Sequence, residues 1–296
     1  MGLKMELNKT RKYMNKHMNK IVAILAVVVI VVSFLFYHFY KTRIEKKRIA
    51  LDSTQEVIES WELPSILDEI SGIVWLKDGR IACIQDEVGI VFFYNLETKK
   101  LDGQVKFAGD GDYEGLALMG ENMYVVRSDG EIFELLDFLG EEPVFNQYEL
   151  PLSEKNNIET LLADQENNRL LLMAKDHEPF DNGGRGIYGY NLDTKTLQEK
   201  PVLLITATDA DLQKTLKKIR PSDIAIHPKT KEIYVLQGTK PRILIVNSNG
   251  SVKKEYPLNN KVFYQPEGIT FSPDGTLYIS NEATGGVPSI LKVELK

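Results

Sequence analysis

The sequence predicts an all-β fold: a five-bladed β-propeller with four antiparallel strands per blade, closed by an N-terminal strand and preceded by one transmembrane helix. Three features of the chain lead there. A unit made of an acid or Ser, an apolar run, a polar turn and a second apolar run recurs five times, starting at Ser71, Glu114, Glu159, Asp223 and Glu267. The intervals are 43, 45, 64 and 44 residues, and four short strands in about 45 residues is the period of a propeller blade. The third feature is residues 21–40, IVAILAVVVIVVSFLFYHFY, which hold almost nothing polar beyond Ser33 and His38. About 20 apolar residues at ~1.5 Å rise each cross a ~30 Å hydrocarbon core.

From the N-terminus, residues 1–20 form a short basic cytoplasmic tail, 21–40 the anchor and 41–54 a charged, extended linker. A signal peptide fits less well, because its apolar core runs ~7–15 residues and is followed by a small-residue cleavage site, whereas KTRIEKKR follows here. Six Lys/Arg precede the span and five follow it closely, so the positive-inside bias is nearly balanced. A long C-terminal domain translocates largely regardless of such charges. The expectation is therefore N-in, C-out: a single-pass protein with its propeller outside the cytoplasm. A cytoplasmic propeller on the same anchor is the alternative.

Charge divides the chain at the same place. Residues 1–50 carry 11 Lys/Arg and 2 Asp/Glu; the remainder carries 25 Lys/Arg and 40 Asp/Glu. An acidic domain repels phosphate backbones, which argues against nucleic acid as a partner and is compatible with cations. The single cysteine, Cys83, lies in the apolar run RIACI and reads as a buried, inert thiol.

Residues 55–296 hold the blades. SGIVWLKDGRIACIQDEVG, EGLALMGENMYVVRSDGEIFEL, ETLLADQENNRLLLMAKDHEP, DIAIHPKTKEIYVLQGTKPRILIV and EGITFSPDGTLYISNEATG each supply the first strands of a blade. Short β-branched and aromatic runs bounded by Gly, Asn, Asp and Pro are strand signals. A third apolar segment follows in every unit and a fourth, more polar one in the first four, but the last unit ends at Lys296 one strand short. EVIESWELP at 56–64 resembles VFNQYELPL and is placed to supply that strand, closing the ring from both termini. The long third interval accommodates an insertion around 209–219, where Leu212, Leu216 and Ile219 have helical spacing.

The first strand of each blade lines the central channel, so Ser71, Glu114, Glu159, Asp223 and Glu267 are expected at one end of it. The second strand runs antiparallel and ends near the start of the first. That brings Asp86, Asp129, Lys175, Asp176 and Glu282 to the same face. Carboxylates packed this closely repel; either some are protonated or a cation sits among them. Hard carboxylate oxygens suit Ca²⁺, and the chain has neither the His nor the Cys cluster that zinc requires. Glu114, Glu159, Asp223, Glu267 and Glu282 are the candidate metal ligands, with Lys175, Asp176, His177 and Asp86 as possible ligand contacts. The alternative use of the strand-start acids is hydrogen bonding to backbone N–H groups of the next blade, without metal. His227, in DIAIHP, is expected to pack.

Taken as a series, EISGIVW, DYEGLAL, NIETLLA, RPSDIAIHP and QPEGITFSPDGTLYISNE resemble the SdiA-regulated family of bacterial envelope proteins, and more loosely NHL-type repeats. The resemblance covers roughly residues 55–296. It implies a five-bladed propeller exported from the cytoplasm, held on the inner membrane, with a calcium site to which Glu114, Glu159 and Glu267 carry over and Asp223 less securely. It implies no defined activity. Two functions follow: a membrane-anchored binding module for a small molecule or envelope protein, or a calcium-dependent hydrolase of the lactonase, esterase or phosphoesterase kind. The hydrolase needs a general base beside the metal, for which Lys175, Asp176 and His177 are the candidates.

Overall fold

The computed structural model describes residues 17–18, 25–26, 28–46 and 54–296. The chain forms two compact units, Met1–Asp52 and Ser53–Lys296. In the first, residues 28–46 are helical. Their apolar side chains, Phe34, Phe36 and Phe39 among them, face outward, so this helix carries an apolar surface of its own. Among the described residues no helix is long and apolar enough to cross a membrane. Part of the predicted span, residues 21–24 and 27, lies outside the described residues, as do most of the basic tail and residues 47–53 of the linker. Residues 41–46, expected to be extended, continue the helix, as the helix formers Arg43, Glu45 and Lys46 favour.

The second unit is the propeller. Blade 1 is β2 (Ile70–Trp75), β3 (Arg80–Gln85), β4 (Val88–Asn95) and β5 (Lys100–Asp110), paired in chain order. Blade 2 is β6 (Tyr113–Met119), β7 (Asn122–Arg127), β8 (Ile132–Leu136) and β9 (Val144–Tyr148). In blade 3, β10 (Leu162–Asp164), β11 (Arg169–Leu172) and β12 (Gly186–Asn191) are followed by a split outer strand, β13 (Thr196–Leu197) and β14 (Leu203–Leu204), both paired with β12. Blade 4 is β15 (Asp223–Ile226), β16 (Ile233–Gln237), β17 (Arg242–Val246) and β18 (Val252–Pro257). Blade 5 is β19 (Pro266–Phe271), β20 (Leu277–Asn281) and β21 (Ser289–Leu295), completed by β1 (Gln55–Glu62) from the other end of the chain. β1 runs antiparallel to β21, from Gln55 opposite Leu295 to Glu62 opposite Ser289. The insertion forms a short helix, Ala210–Leu216, whose cap Asp209 accepts from the backbone N–H of Asp211 and Leu212; Leu216 and Ile219 are buried beneath it.

There is no single central core. Apolar residues instead fill the five seams between neighbouring blades, as alternating strands packed face to face require. Cys83 lies in the seam between blades 5 and 1, where burial pushes its thiol well above the ordinary range. His227 stacks against Tyr234 and meets Phe271 edge-on at 5.0 Å.

The inner strands approach so closely that the second residue of the recurring unit has almost no room. A Cβ on Gly72 would stand 2.8 Å from the Leu116 nitrogen, one on Gly115 2.8 Å from the Leu161 nitrogen, and one on Gly268 2.6 Å from the Ser71 oxygen. Each clash is with the backbone of the next blade, which is why the acid or Ser is followed by Gly in three of five units.

Candidate functional site

The sheet register fixes which residues are equivalent between blades. Leu116 faces Val125, Ile224 faces Val235, Ile269 faces Ile279 and Ile73 faces Cys83. One residue earlier on each inner strand come Gly115, Asp223, Gly268 and Gly72. Asp223 is thus equivalent to the glycines and not to the glutamates. The inner ring is Ser71, Glu114, Glu159, Ser222 and Glu267.

That one-residue step changes what Asp223 does, because neighbouring strand residues point to opposite faces. Its carboxylate lies in the seam, buried, and accepts from Ile269 N–H of blade 5 at 2.8 Å and from Ile224 N–H at 2.8 Å. This is the inter-blade hydrogen bond that was the alternative use of the strand-start acids. It occupies the position where three other blades have only glycine. Burial pushes its carboxyl well up, opposed by those two backbone bonds. Asp223→Ala would strand the Ile269 N–H, and is expected to cost about 1–3 kcal/mol in denaturant unfolding.

The three glutamates do converge. Glu114 Oε2 accepts from Ser71 Oγ at 2.5 Å, across the blade 1–blade 2 seam. Glu159, 3 % exposed, pairs with Lys175 and accepts from Asn157 Nδ2 at 3.1 Å. Glu267, 8 % exposed, lies over Gly238, where a Cβ would meet its Oε1 at 2.7 Å. Each is held above the usual carboxylate range, by burial first and by its neighbours second. Glu114 rises to about 8, with Glu159 as the next cause. Glu267 rises to about 8 despite Lys175, through Glu282 and Glu114. Glu159 rises to about 7, Lys175 restraining it and Glu267 adding to it.

A second ring stands around the first, where the second strands end: Asp86, Ser128, Lys175, Gly238 and Glu282. Glu282 is half-buried and pushed up to about 7 by burial, Glu69 and Asp86. Asp86 reaches about 6 through burial, Glu69 and Asp112, and its buried Oδ1 has no hydrogen-bond partner. Lys175 is the exception in sign. Burial pulls its ammonium down, but Glu159, Glu267 and Glu114 outweigh that and raise it. The blade-three member of the second ring thus serves as a tethered cation for the first.

The other candidates are engaged elsewhere. Asp176 pairs with Arg220 at 2.7 Å and accepts from Asn157. His177 is exposed, with Nδ1 3.1 Å from the Lys155 carbonyl. Arg220 and Ser222, both just after the insertion, were not among the residues the motif singled out; the signal for Ser222 was the Pro of HP at 228, which aligns with the Pro of SP at 273.

As placed, no three His, Cys, Asp or Glu among the described residues are close enough to hold a metal. The donor chemistry nevertheless suits a hard cation: carboxylates in a half-buried mouth, with no thiolate or imidazole among them.

Fold and site together define the class: a closed five-bladed β-propeller whose channel opens at one end through a ring of buried glutamates. Within that class, the chain belongs to the SdiA-regulated family, whose model matches residues 46–284. Among solved structures it is similar to a glutaminyl cyclase from Myxococcus xanthus, with a TM-score of 0.60, 15% identity, and coverage of 82% of this chain and 96% of that one. It is also similar to a virginiamycin B lyase from Staphylococcus aureus, with a TM-score of 0.43, 15% identity, and coverage of 80% and 74%. At such identities the likeness is one of fold. No curated protein matches the chain.

Proposed function

We propose that the chain is a binding module, tethered to a bacterial inner membrane through residues 21–40 with the propeller on the extracytoplasmic side, whose glutamate-ringed mouth takes a calcium ion. The observation that carries this reading is the convergence of Glu114, Glu159 and Glu267, from three different blades, on a mouth where Lys175 is the cation that all three share. Repelling carboxylates kept partly buried in an otherwise well-packed ring favour whatever brings positive charge to them. Glu114, Glu159 and Glu267 would hold the ion, with Glu282 beside them. The ion supplies charge neutralisation and, through its remaining positions, a handle for an anionic group on a small molecule or an envelope protein. The outward apolar side chains of residues 28–46 support the tether.

The test is thermal unfolding of the full chain in detergent, metal-free and with millimolar Ca²⁺. A ligand that binds only the folded state at 100 times its Kd stabilises by ~2.7 kcal/mol, a rise of roughly 5–10 °C for a domain of this size. Glu267→Gln should abolish the rise, whereas Asp223→Ala should lower both curves and leave the difference intact. Identical melting in Ca²⁺ and in EDTA would sink the calcium reading.

A further inference from the structure

The other end of the channel is built differently. Along each inner strand, the residue two beyond the first ring is aliphatic and almost fully buried: Ile73, Leu116, Leu161, Ile224 and Ile269. These side chains separate the acidic mouth from a cavity of about 510 Å³ at the far ends of the same strands. Its walls include Trp75, Leu118, Leu162, Ile226 and Phe271, all partly exposed. One blade contributes a guanidinium: Arg169, which also lines the cavity.

The polar groups of this cavity are not equally spent. Asp164 accepts from Arg169 Nε at 2.7 Å and from Asn167 Nδ2 through both oxygens. Gln165 donates to the Leu118 carbonyl and accepts from Gly120 N–H. Thr270 Oγ1 accepts from Trp75 N–H. Arg169 makes its closest ion-pair contact through Nε, and among the described residues its two terminal nitrogens donate no hydrogen bond. At the rim, the exposed Glu166 and Lys231 pair with each other at 3.4 Å, which leaves the terminal nitrogens of Arg169 as the donors inside the aromatic and aliphatic walls that no hydrogen bond uses among the described residues. A cavity of ~300–1,000 Å³ with apolar walls and a few placed polar groups has the form of a small-molecule site. A guanidinium edge is matched by a carboxylate.

From this we infer that the channel end opposite the acid ring is a second binding site, which takes a small apolar or aromatic carboxylate, with its ring system against Trp75 and Phe271 and its anionic group on Arg169. The two ends of one channel then select opposite charges, the aliphatic ring keeping them apart.

Naphthalene-2-carboxylate is the probe and 2-naphthylmethanol its neutral counterpart, each titrated calorimetrically into the full chain in detergent. The expected result is saturable binding of one carboxylate per chain, at least roughly tenfold tighter than the alcohol, as one charge-assisted contact gives. Arg169→Met should remove that preference and leave the alcohol unchanged. Ile226→Trp and Leu162→Trp, both at partly exposed wall positions, should each abolish binding of both probes while melting like the parent; two variants guard against one that fails to fold. Glu267→Gln should have no effect, which separates this site from the cation site. Absence of saturable binding would overturn the inference, as would binding that survives both Trp variants, or equal losses of acid and alcohol in Arg169→Met.

Discussion

Replacing Lys175 by Met is expected to destabilise the metal-free protein by about 3 kcal/mol or more at pH 8.5, the usual scale for removing one partner of a buried ion pair. That corresponds to roughly 10 °C in melting temperature. At pH 5.5 the loss should be less than half as large. The reason lies in the direction in which the glutamates are shifted. Glu114 and Glu267 hold their protons up to about 8 and Glu159 up to about 7 in the fold, whereas in the unfolded chain they release them near ~4.3. Between those limits the native state binds more protons than the unfolded state. Stability therefore falls as pH rises through this window and levels off above it. At pH 5.5 the ring is largely neutral and needs no counter-ion; at pH 8.5 it is charged and Lys175 is its only tethered one among the described residues. The carboxylates with lowered pKa values, such as Asp78, Asp129 and Glu134, stabilise with the opposite sign but change below ~4.5, outside this window.

The same substitution separates the lysine's role from that of a metal. Met is close to Lys in length and cannot neutralise the ring, so a Ca²⁺ ion no longer competes with a tethered ammonium. Calcium affinity should rise at least roughly tenfold, a gain of ~1.4 kcal/mol, and should increase as pH rises through and above 8, because the ion then displaces fewer protons from Glu114 and Glu267. Chevron-free equilibrium unfolding at the two pH values, with and without Ca²⁺, reads all of this. An equal loss of stability at both pH values would show that Lys175 acts through its aliphatic stem alone. Unchanged calcium affinity would show that the ion does not contend for its place.

How much of this was readable beforehand depends on the length scale. The blade period is a property of strand and turn lengths, so the five units, their order and the borrowed strand at 56–64 could be found from apolar runs and turn residues alone. Side-chain direction is set by a single residue. Aligning the blades by their acids placed Asp223 with Glu267, whereas aligning them by the prolines of HP and SP places Ser222 there and puts Asp223 in the seam. The bulges that shift the inner register in blades 1, 2 and 5, across Ile70/Ile73, Tyr113/Gly115 and Pro266/Ile269, leave no composition signal to correct this. The partnership of Lys175 with three glutamates is farther from the sequence still. Its charge was visible as a departure in one repeat, but its reach into the inner ring depends on how five strands converge on one axis. The apolar far mouth was hidden for a related reason: Trp75, Leu118, Ile226 and Phe271 look like ordinary core residues until the strand ends are gathered around the channel.

Trp61→Ala is expected to lower stability by about 3–5 kcal/mol, the range for removing a buried aromatic, and deletion of residues 54–63 should prevent the propeller from closing at all. β1 holds no part of the site, yet it is the strand on which the ring depends. It is joined to β21 along seven residue pairs, from Gln55–Leu295 to Glu62–Ser289. Trp61 is 5 % exposed, packs near Tyr278 with ring centroids 6.1 Å apart, and donates its indole N–H to the Leu96 carbonyl of blade 1 at 2.9 Å. One side chain thus ties β1 to blade 5 and to blade 1 together, at the seam where the propeller's first and last strands meet. Leu63 adds a backbone bond to the Pro288 carbonyl at 2.8 Å. Without this strand blade 5 would expose a bare edge in β21, a template for pairing with other chains. The seam would also lose the wall against which Ile290 and Tyr278 pack. Trp61→Phe should recover most of the packing but not the Leu96 bond, leaving a loss of about 1 kcal/mol. The loss should appear in the unfolding rate measured with denaturant if closure forms late, since the termini are the most distant segments in sequence and their contact carries the largest loop-closure cost. A Trp61→Ala protein as stable as the parent would mean that the ring is held by the other four seams, and that strand exchange between the termini is a consequence of the fold and not a condition for it.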